Sequence, residues 1–149
     1  MTKLIAENRK ARHEYFLEEF IEAGIVLTGT EIKSIRKGHV QFRDAYIEFQ
    51  KQEAFIRDMH IAAYDHGNIF NHDETRVRKL LLHKHEILRL AQKVQVKGYT
   101  VVPTRMYLKD GRAKLEIALA KGKELHDKRE TLKERDAKRE IEKAMKNYR

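Results

Sequence analysis

The sequence predicts an α+β fold that is mostly β: an oligonucleotide-binding-type antiparallel β-barrel or a related α+β sheet, with embedded short helices and a basic C-terminal tail. Three observations carry this. Short stretches such as Ala45–Phe49, Ala54–Asp58 and Arg112–Leu119 alternate apolar and polar side chains with the period of a half-buried strand. Helical signals of limited length fall between them, the arrangement of a sheet with inserted helices rather than of a bundle. The last stretch, Lys121–Arg149, holds eleven Lys or Arg against seven Asp or Glu and only Leu125, Leu132, Ile141, Met145 and Tyr148 as large apolar side chains. So little apolar surface does not offset an ordering entropy of roughly 1–2 kcal/mol per residue, so this tail is expected to be disordered when free.

The elements follow in order. Residues 1–11 are polar and charged and read as a flexible lead-in, with a body spanning 12–120. Tyr15-Phe16-Leu17 and Phe20-Ile21 have strand composition, and Gly24 marks a bend or bulge before Ile25-Val26-Leu27. Thr28 and Glu31 have the spacing of a capping box, so a short helix starts there and stops at Gly38; Ile32 and Ile35 face inward and Lys33, Arg36 and Lys37 project outward. Ala45–Phe49 and Ala54–Asp58 form a hairpin about Gln50–Glu53, and Tyr64–Asp73, with Gly67, Asn68 and Asn71, is a surface loop. Asp73 reads as an N-cap. Leu80, Leu81, Ile87, Leu88, Ala91 and Val94 then recur at helical intervals as far as Gly98, and spacing alone leaves open whether His83-Lys84 divides this into two helices. Thr100–Leu108 and Arg112–Leu119 form a second hairpin about Lys109-Asp110-Gly111, with Pro103 at an edge or bulged position.

A formal charge of +9, a pI near 9.7 and 37% charged residues point to a polyanionic partner. The absence of cysteine excludes disulfides and thiolate metal sites and fits a reducing, cytoplasmic setting; no signal-peptide core and no membrane-length apolar run is present. The eight histidines lack metal-ligand spacing, and no phosphate loop, nucleophile elbow or nucleophile–base signature occurs. The expectation is a binding protein with no cofactor, no metal and no catalytic activity. Its candidate phosphate contacts are Arg76, Arg78, Lys79 and Lys84 at the start of the long helical segment, Lys33, Arg36 and Lys37 on the short helix, and the tail. Within the tail, acids and bases alternate near helical spacing, as with Glu134 and Lys138, so a marginal helix could be completed by RNA.

Several segments, in this order, resemble one family. They are Asn8-x3-His13-Glu-Tyr15, Glu22-Ala-Gly24 through Thr28-Gly-Thr-Glu31-Ile-Lys-Ser-Ile-Arg36, Arg78-Lys-Leu-Leu-Leu82-His83, Gly98-Tyr-Thr-Val-Val-Pro103, and Ala120-Lys-Gly-Lys123 through His126-Asp-Lys-Arg129. Together they are similar to the signature segments of the bacterial small protein B family, which binds transfer-messenger RNA (SsrA). The resemblance implies a barrel body that grips the tRNA-like domain of transfer-messenger RNA, and a tail that turns helical in the empty messenger channel beside the decoding centre of the small ribosomal subunit. It implies trans-translation, the rescue of stalled ribosomes, as the role, elongation factor Tu as a partner through alanyl-charged RNA, and a monomer that performs no chemistry. Carried over by position, it implies RNA contacts for Asn8, Glu22 and Leu81, with His83 beside them. In the tail it implies ribosome contacts for Lys121, Lys123, His126, Asp127, Lys128, Arg129, Met145 and Lys146. Ala144 stands where some relatives have a larger aliphatic residue, and Ala63 and Glu74 where many have proline. The alternative on the residues alone is a general single-stranded RNA-binding or ribosomal-type protein, with an RNA-processing enzyme as a further rival motivated only by the histidine and acid content.

Overall fold

In the computed structural model, residues 2–64 and 71–123 are described. The expectations for the tail from residue 124 onward, and for Gly67 and Asn68, lie outside them.

The chain runs β1 (Thr2–Glu7), α1 (Arg9–Glu14), β2 (Tyr15–Ile25), α2 (Gly29–Arg36), β3 (Val40–Gln41), β4 (Tyr46–Gln50), β5 (Glu53–Arg57), β6 (His60–Ile61), β7 (Arg78–Leu81), α3 (Lys84–Lys93), β8 (Tyr99–Lys109) and β9 (Arg112–Gly122). Seven strands form one antiparallel sheet in the order β1-β8-β9-β2-β7-β5-β4, and β3 pairs with β6 apart from it. The class is α+β and mostly β, as expected. The sheet is open: β1 and β4 end the ladder without pairing with each other, although β4 curls round to contact β8 across the core.

The core lies inside this curl, where Ile35, Ile56, Ile61, Leu80, Leu90, Met106, Leu115, Ile117 and Leu119 have at most 1% of their surface exposed. A second, smaller cluster of Ala11, Val102 and Ala120 packs α1 onto the other face of β8 and β9, with Tyr15 and Leu17 against it. Small side chains at 11 and 120 let helix and sheet approach closely. This is why β9 is buried on both faces near its end while Arg112 and Lys114 remain at the surface.

The α2 start is built as the spacing predicts. Thr28 Oγ1 accepts the Glu31 N–H at 3.3 Å, and the Glu31 carboxylate accepts the Thr28 N–H at 2.8 Å. The helix ends ahead of Gly38, whose φ of +80° suits glycine. Both hairpins form. The β8–β9 turn uses Asp110 and Gly111 at φ +52° and +82°, whereas the β4–β5 turn places two non-glycine residues, Lys51 and Gln52, at +50° and +62°. Pro103 sits beside a bulge that separates the Pro103–Ile117 pair from the Arg105–Glu116 pair. Gly24, in contrast, continues β2 without a bulge; the irregularity in that strand falls at Glu19, φ +38°.

Three further expectations are corrected. Residues 2–7 form an edge strand paired with β8, and Arg9–Glu14 a helical turn, where a flexible lead-in was expected. Arg78–Leu81 is a strand between β2 and β5, and Asp73 caps no helix; its carboxylate accepts the Thr75 N–H in a tight turn. The leucine spacing suits a helix, but Arg78 and Leu80 face inward while Lys79 and Leu81 face outward, and the inward arginine hid the alternation. Finally, β9 extends through Lys121 and Gly122, so the body continues past residue 120.

Ala63 and Glu74 meet each other. The Ala63 N–H, which proline would lack, donates to the Glu74 carboxylate at 3.0 Å. That bond, ahead of the His60 side chain, holds the Glu74 carboxyl below the usual range.

Candidate nucleic-acid interface

At the end of β2, Gly24 stands opposite Leu81 of β7. A Cβ added at Gly24 would lie 3.2 Å from the Leu81 Cβ, so the missing side chain gives Leu81 room over β2. Leu81 is nonetheless 55% exposed. Its side chain lines a groove together with Phe20 and Leu82.

Around it lies a groove of about 990 Å³, bordered by β2, the β4–β5 turn, β7, the start of α3 and Lys114 of β9. Phe20, Leu81, Leu82 and Ile87 supply apolar surface; Lys51, Lys79, Lys84 and Lys114 supply positive charge; Glu22, Glu53 and Glu86 supply negative charge. Glu86 is committed to the His83 N–H at 3.0 Å, which starts α3. Glu22 accepts from the Tyr107 hydroxyl at 2.5 Å and lies 3.7 Å from the Lys109 ammonium. The Tyr107 bond, helped by the fields of Lys109 and Lys114, holds the Glu22 carboxyl below the usual range. Burial, and then Glu22, push the Tyr107 phenol upward, so it stays a donor. Glu22 is therefore a fixed anion with free lone pairs, suited to accept from hydroxyl or amino groups and unsuited to meet phosphate. Beside it His83 and His85 stack, with ring centroids 5.7 Å apart and planes 9° from parallel. Charges of both signs with flat and apolar surfaces can meet phosphate, ribose and base together.

Of the residues singled out in the sequence, Glu22, Lys79, Leu81, His83 and Lys84 converge here. Others do not. Asn8 is buried, caps α1 by accepting the Ala11 N–H at 3.1 Å, and donates to the Pro103 carbonyl at 2.7 Å. Arg78 has no exposed surface. It donates to Glu31 at 2.6 Å and to the Met59 carbonyl at 2.9 Å, so its charge is consumed inside the protein. Arg76 donates to the same carboxylate at 2.7 Å and is partly exposed. Arg78 is corrected from a phosphate contact to a structural cation, because a buried carboxylate at Glu31 needs it, while Arg76 shares that carboxylate and keeps part of its surface exposed.

Lys33 and Lys37 lie on the exposed side of α2 with their ammonium groups 5.4 and 5.1 Å from the Tyr64 ring centre, and Arg36 is exposed beside them. Lys121 and Lys123 lie over Tyr99 and Phe16 at 5.8 and 5.0 Å, anchored to the body rather than free in a tail. His126, Asp127, Lys128, Arg129, Met145 and Lys146 are outside the described residues.

Sequence reasoning missed Lys51, Gln52, Glu53, Phe20 and Lys114 as groove residues. The signal for Lys114 was its place on the polar face of an alternating strand; for Lys51, Gln52 and Glu53 only the fold brings the hairpin tip across to β7, and Phe20 read as an ordinary residue of β2. Among the described residues no helix is long and apolar enough to cross a membrane.

Comparison with known proteins identifies the family. The family model described as SmpB protein matches residues 5–147. An SsrA-binding protein from Caldicellulosiruptor bescii is 58% identical over 146 residues, covering 98% of this chain and 92% of the relative. One from Shouchella clausii is 56% identical over 144 residues, covering 97% and 92%. A chain in the solved structure described as "tmRNA-SmpB: a journey to the center of the bacterial ribosome" superposes with a TM-score of 0.69 at 48% identity, covering 79% of this chain and 83% of that one. A match of this length, shared by the family model and by near full-length relatives, makes the chain a member of the SmpB protein family.

Proposed function

We propose that this protein binds the tRNA-like domain of transfer-messenger RNA through the groove around Leu81 and delivers it to stalled ribosomes for trans-translation. The observation that carries the reading is the convergence of Glu22, Lys79, Leu81 and His83, drawn from β2, β7 and the start of α3, on one groove of mixed charge in a chain of this family. Leu81 packs against an exposed base or sugar, Lys79 meets phosphate, and Glu22 accepts from ribose or base. Asn8 acts at one remove, holding α1 to the bulge of β8. The residues from 124 onward read the empty messenger channel through His126, Asp127, Lys128, Arg129, Met145 and Lys146, with Lys121 and Lys123 fixing the tail's root. Elongation factor Tu arrives on the same alanyl-charged RNA. The protein acts in the cytoplasm as a monomeric binding factor and performs no chemistry, and its curled sheet serves as an oligonucleotide-binding-type barrel left unpaired between β1 and β4.

The test separates body from tail. Leu81→Asp should weaken binding to the isolated tRNA-like domain at least tenfold while leaving the unfolding midpoint within error, because Leu81 is exposed. Removal of residues 124–149 should leave that binding unchanged and abolish tagging on stalled ribosomes. Equal affinity of the unmodified protein for unrelated single-stranded RNA would instead indicate a general binder.

A further inference from the structure

The β4–β5 turn is an unusual groove wall. Lys51 and Gln52 both hold a left-handed backbone, φ +50° and +62°, that L side chains rarely adopt, yet both carry full polar side chains and both line the groove. A glycine would relieve the backbone but remove the side chain that faces the site. One step further along, Glu53 reaches across to β7, where its carboxylate binds the Lys79 ammonium at 2.6 Å, and both side chains are nearly half exposed. The three groove carboxylates thus have different commitments. Glu86 holds a backbone amide and Glu22 a phenol, whereas Glu53 holds a lysine that the RNA itself would use.

We propose that the hairpin tip is a second wall of the RNA interface and that Glu53 is its specificity residue, screening Lys79 from phosphate until the correct RNA arrives. The inference rests on the groove reading above. A bare phosphate approaching Lys79 must displace a carboxylate already in contact and leave that anion unpaired beside itself, so the exchange gains little. A folded RNA strand brings a ribose 2′-hydroxyl or base amino donor next to its phosphate. The phosphate then takes Lys79, the donor turns to the released Glu53 carboxylate, and both charges remain paired. Like-charge placement against the wrong ligand is a common source of specificity. Lys51 and Gln52, fixed at the tip, extend the contact along the strand. No covalent step is involved, and the ligand class is a folded ribonucleotide segment rather than polyanions in general.

The experiment uses the full chain with Glu53→Gln, Lys79→Met and the double variant. Each is titrated with the tRNA-like domain of transfer-messenger RNA and with a single-stranded oligodeoxynucleotide of matched length, at several salt concentrations, after the unfolding midpoint has been checked. Glu53→Gln should raise affinity for the oligodeoxynucleotide about fivefold to tenfold at 0.1 M salt and steepen the slope of log K against log salt by about one, since one more lysine is free to release a counterion. Its affinity for the tRNA-like domain should rise less than its affinity for the oligodeoxynucleotide, because the gain from a free Lys79 is offset by loss of the charged acceptor at position 53, so the preference for that RNA shrinks. On the Lys79→Met background Glu53→Gln should add nothing. Unchanged oligodeoxynucleotide binding and slope, or the same gain without Lys79, would overturn the proposal. The groove reading fails by a separate result, an unmodified protein with no preference for the tRNA-like domain. Glu53→Asp provides an independent check: its shorter side chain should loosen the pair and fall between the parent and Glu53→Gln, and behaviour identical to the parent would count against the screen.

Discussion

Replacing Glu31 with glutamine should remove much of the fold's stability without touching the groove. Glu31 has no exposed surface, yet it is charged: its carboxylate accepts from the Thr28 N–H at 2.8 Å, from Arg76 at 2.7 and 3.2 Å, and from Arg78 at 2.6 Å. Burial alone would raise its pKa. The bonds from Arg76, the Thr28 amide and Arg78 together outweigh burial and hold it at about 2, against an ordinary 4.5. Because the folded value is the lower one, the unfolded chain takes up the proton first. The stabilisation is therefore complete above pH 4.5 and is lost as pH falls toward 2. A gap of about 2.5 pH units, at about 1.36 kcal/mol each, corresponds to something on the order of 3 kcal/mol. Glu31→Gln also leaves the buried Arg78 without a counter-charge, for which about 3–5 kcal/mol is typical. Urea unfolding at pH 7 should show a loss in that range, and the difference between parent and variant should narrow between pH 5 and pH 2.5. A difference below about 1 kcal/mol at pH 7, or one that does not depend on pH, would refute the reasoning.

Gln52→Gly should stabilise the protein by about 1 kcal/mol, because a left-handed backbone is strained for a side chain by roughly 1–2 kcal/mol and glycine gives back part of this as chain entropy; a lower urea midpoint would contradict it. Asn8→Ala should cost about 2 kcal/mol by removing the α1 cap and the bond to the Pro103 carbonyl. Its affinity for the tRNA-like domain, measured well below the melting temperature, should change less than that of Leu81→Asp, and the reverse order would mean that Asn8 itself touches RNA.

Most local structure was legible in the sequence where a residue's chemistry and position pointed the same way. The Thr28–Glu31 box, the end of α2 at Gly38 and the Asp110-Gly111 turn are of this kind, since each is settled by neighbours a few residues away. The misread segments are those where a distant partner decides. Arg78 breaks the strand pattern because it answers Glu31, far away in sequence, and an inward arginine cannot be recognised without its acid. The first strand, Thr2–Glu7, owes its order to the exposed ladder of β8, and nothing in six mixed residues announces that edge. For the same reason the groove was half legible. Glu22 and Leu81 came through a family resemblance, and basic residues through charge. Lys51, Gln52 and Glu53 looked like an ordinary hairpin loop until β5 was seen to lie beside β7.

The charge pattern has a further consequence for how this protein meets RNA. A net charge of +9 suggests a diffuse electrostatic grip. Many body cations are already paired, however: Arg76 and Arg78 with Glu31, Arg105 with Glu116, Arg57 with Glu48, Arg89 with Glu19, Lys10 with Asp44 and Lys79 with Glu53. The groove holds four lysines. If binding of the tRNA-like domain runs through that groove, a chain lacking residues 124–149 should show a slope of log K against log salt no steeper than about −3.6, from about 0.9 per neutralised phosphate. Titrations between 0.05 and 0.5 M salt would measure it. A slope near −7 would mean that cations outside the groove take part in force, with Lys33, Arg36 and Lys37 of α2 the first to test. A shallow slope with undiminished affinity would mean that shape and apolar contact at Leu81 carry recognition, with charge confined to orientation.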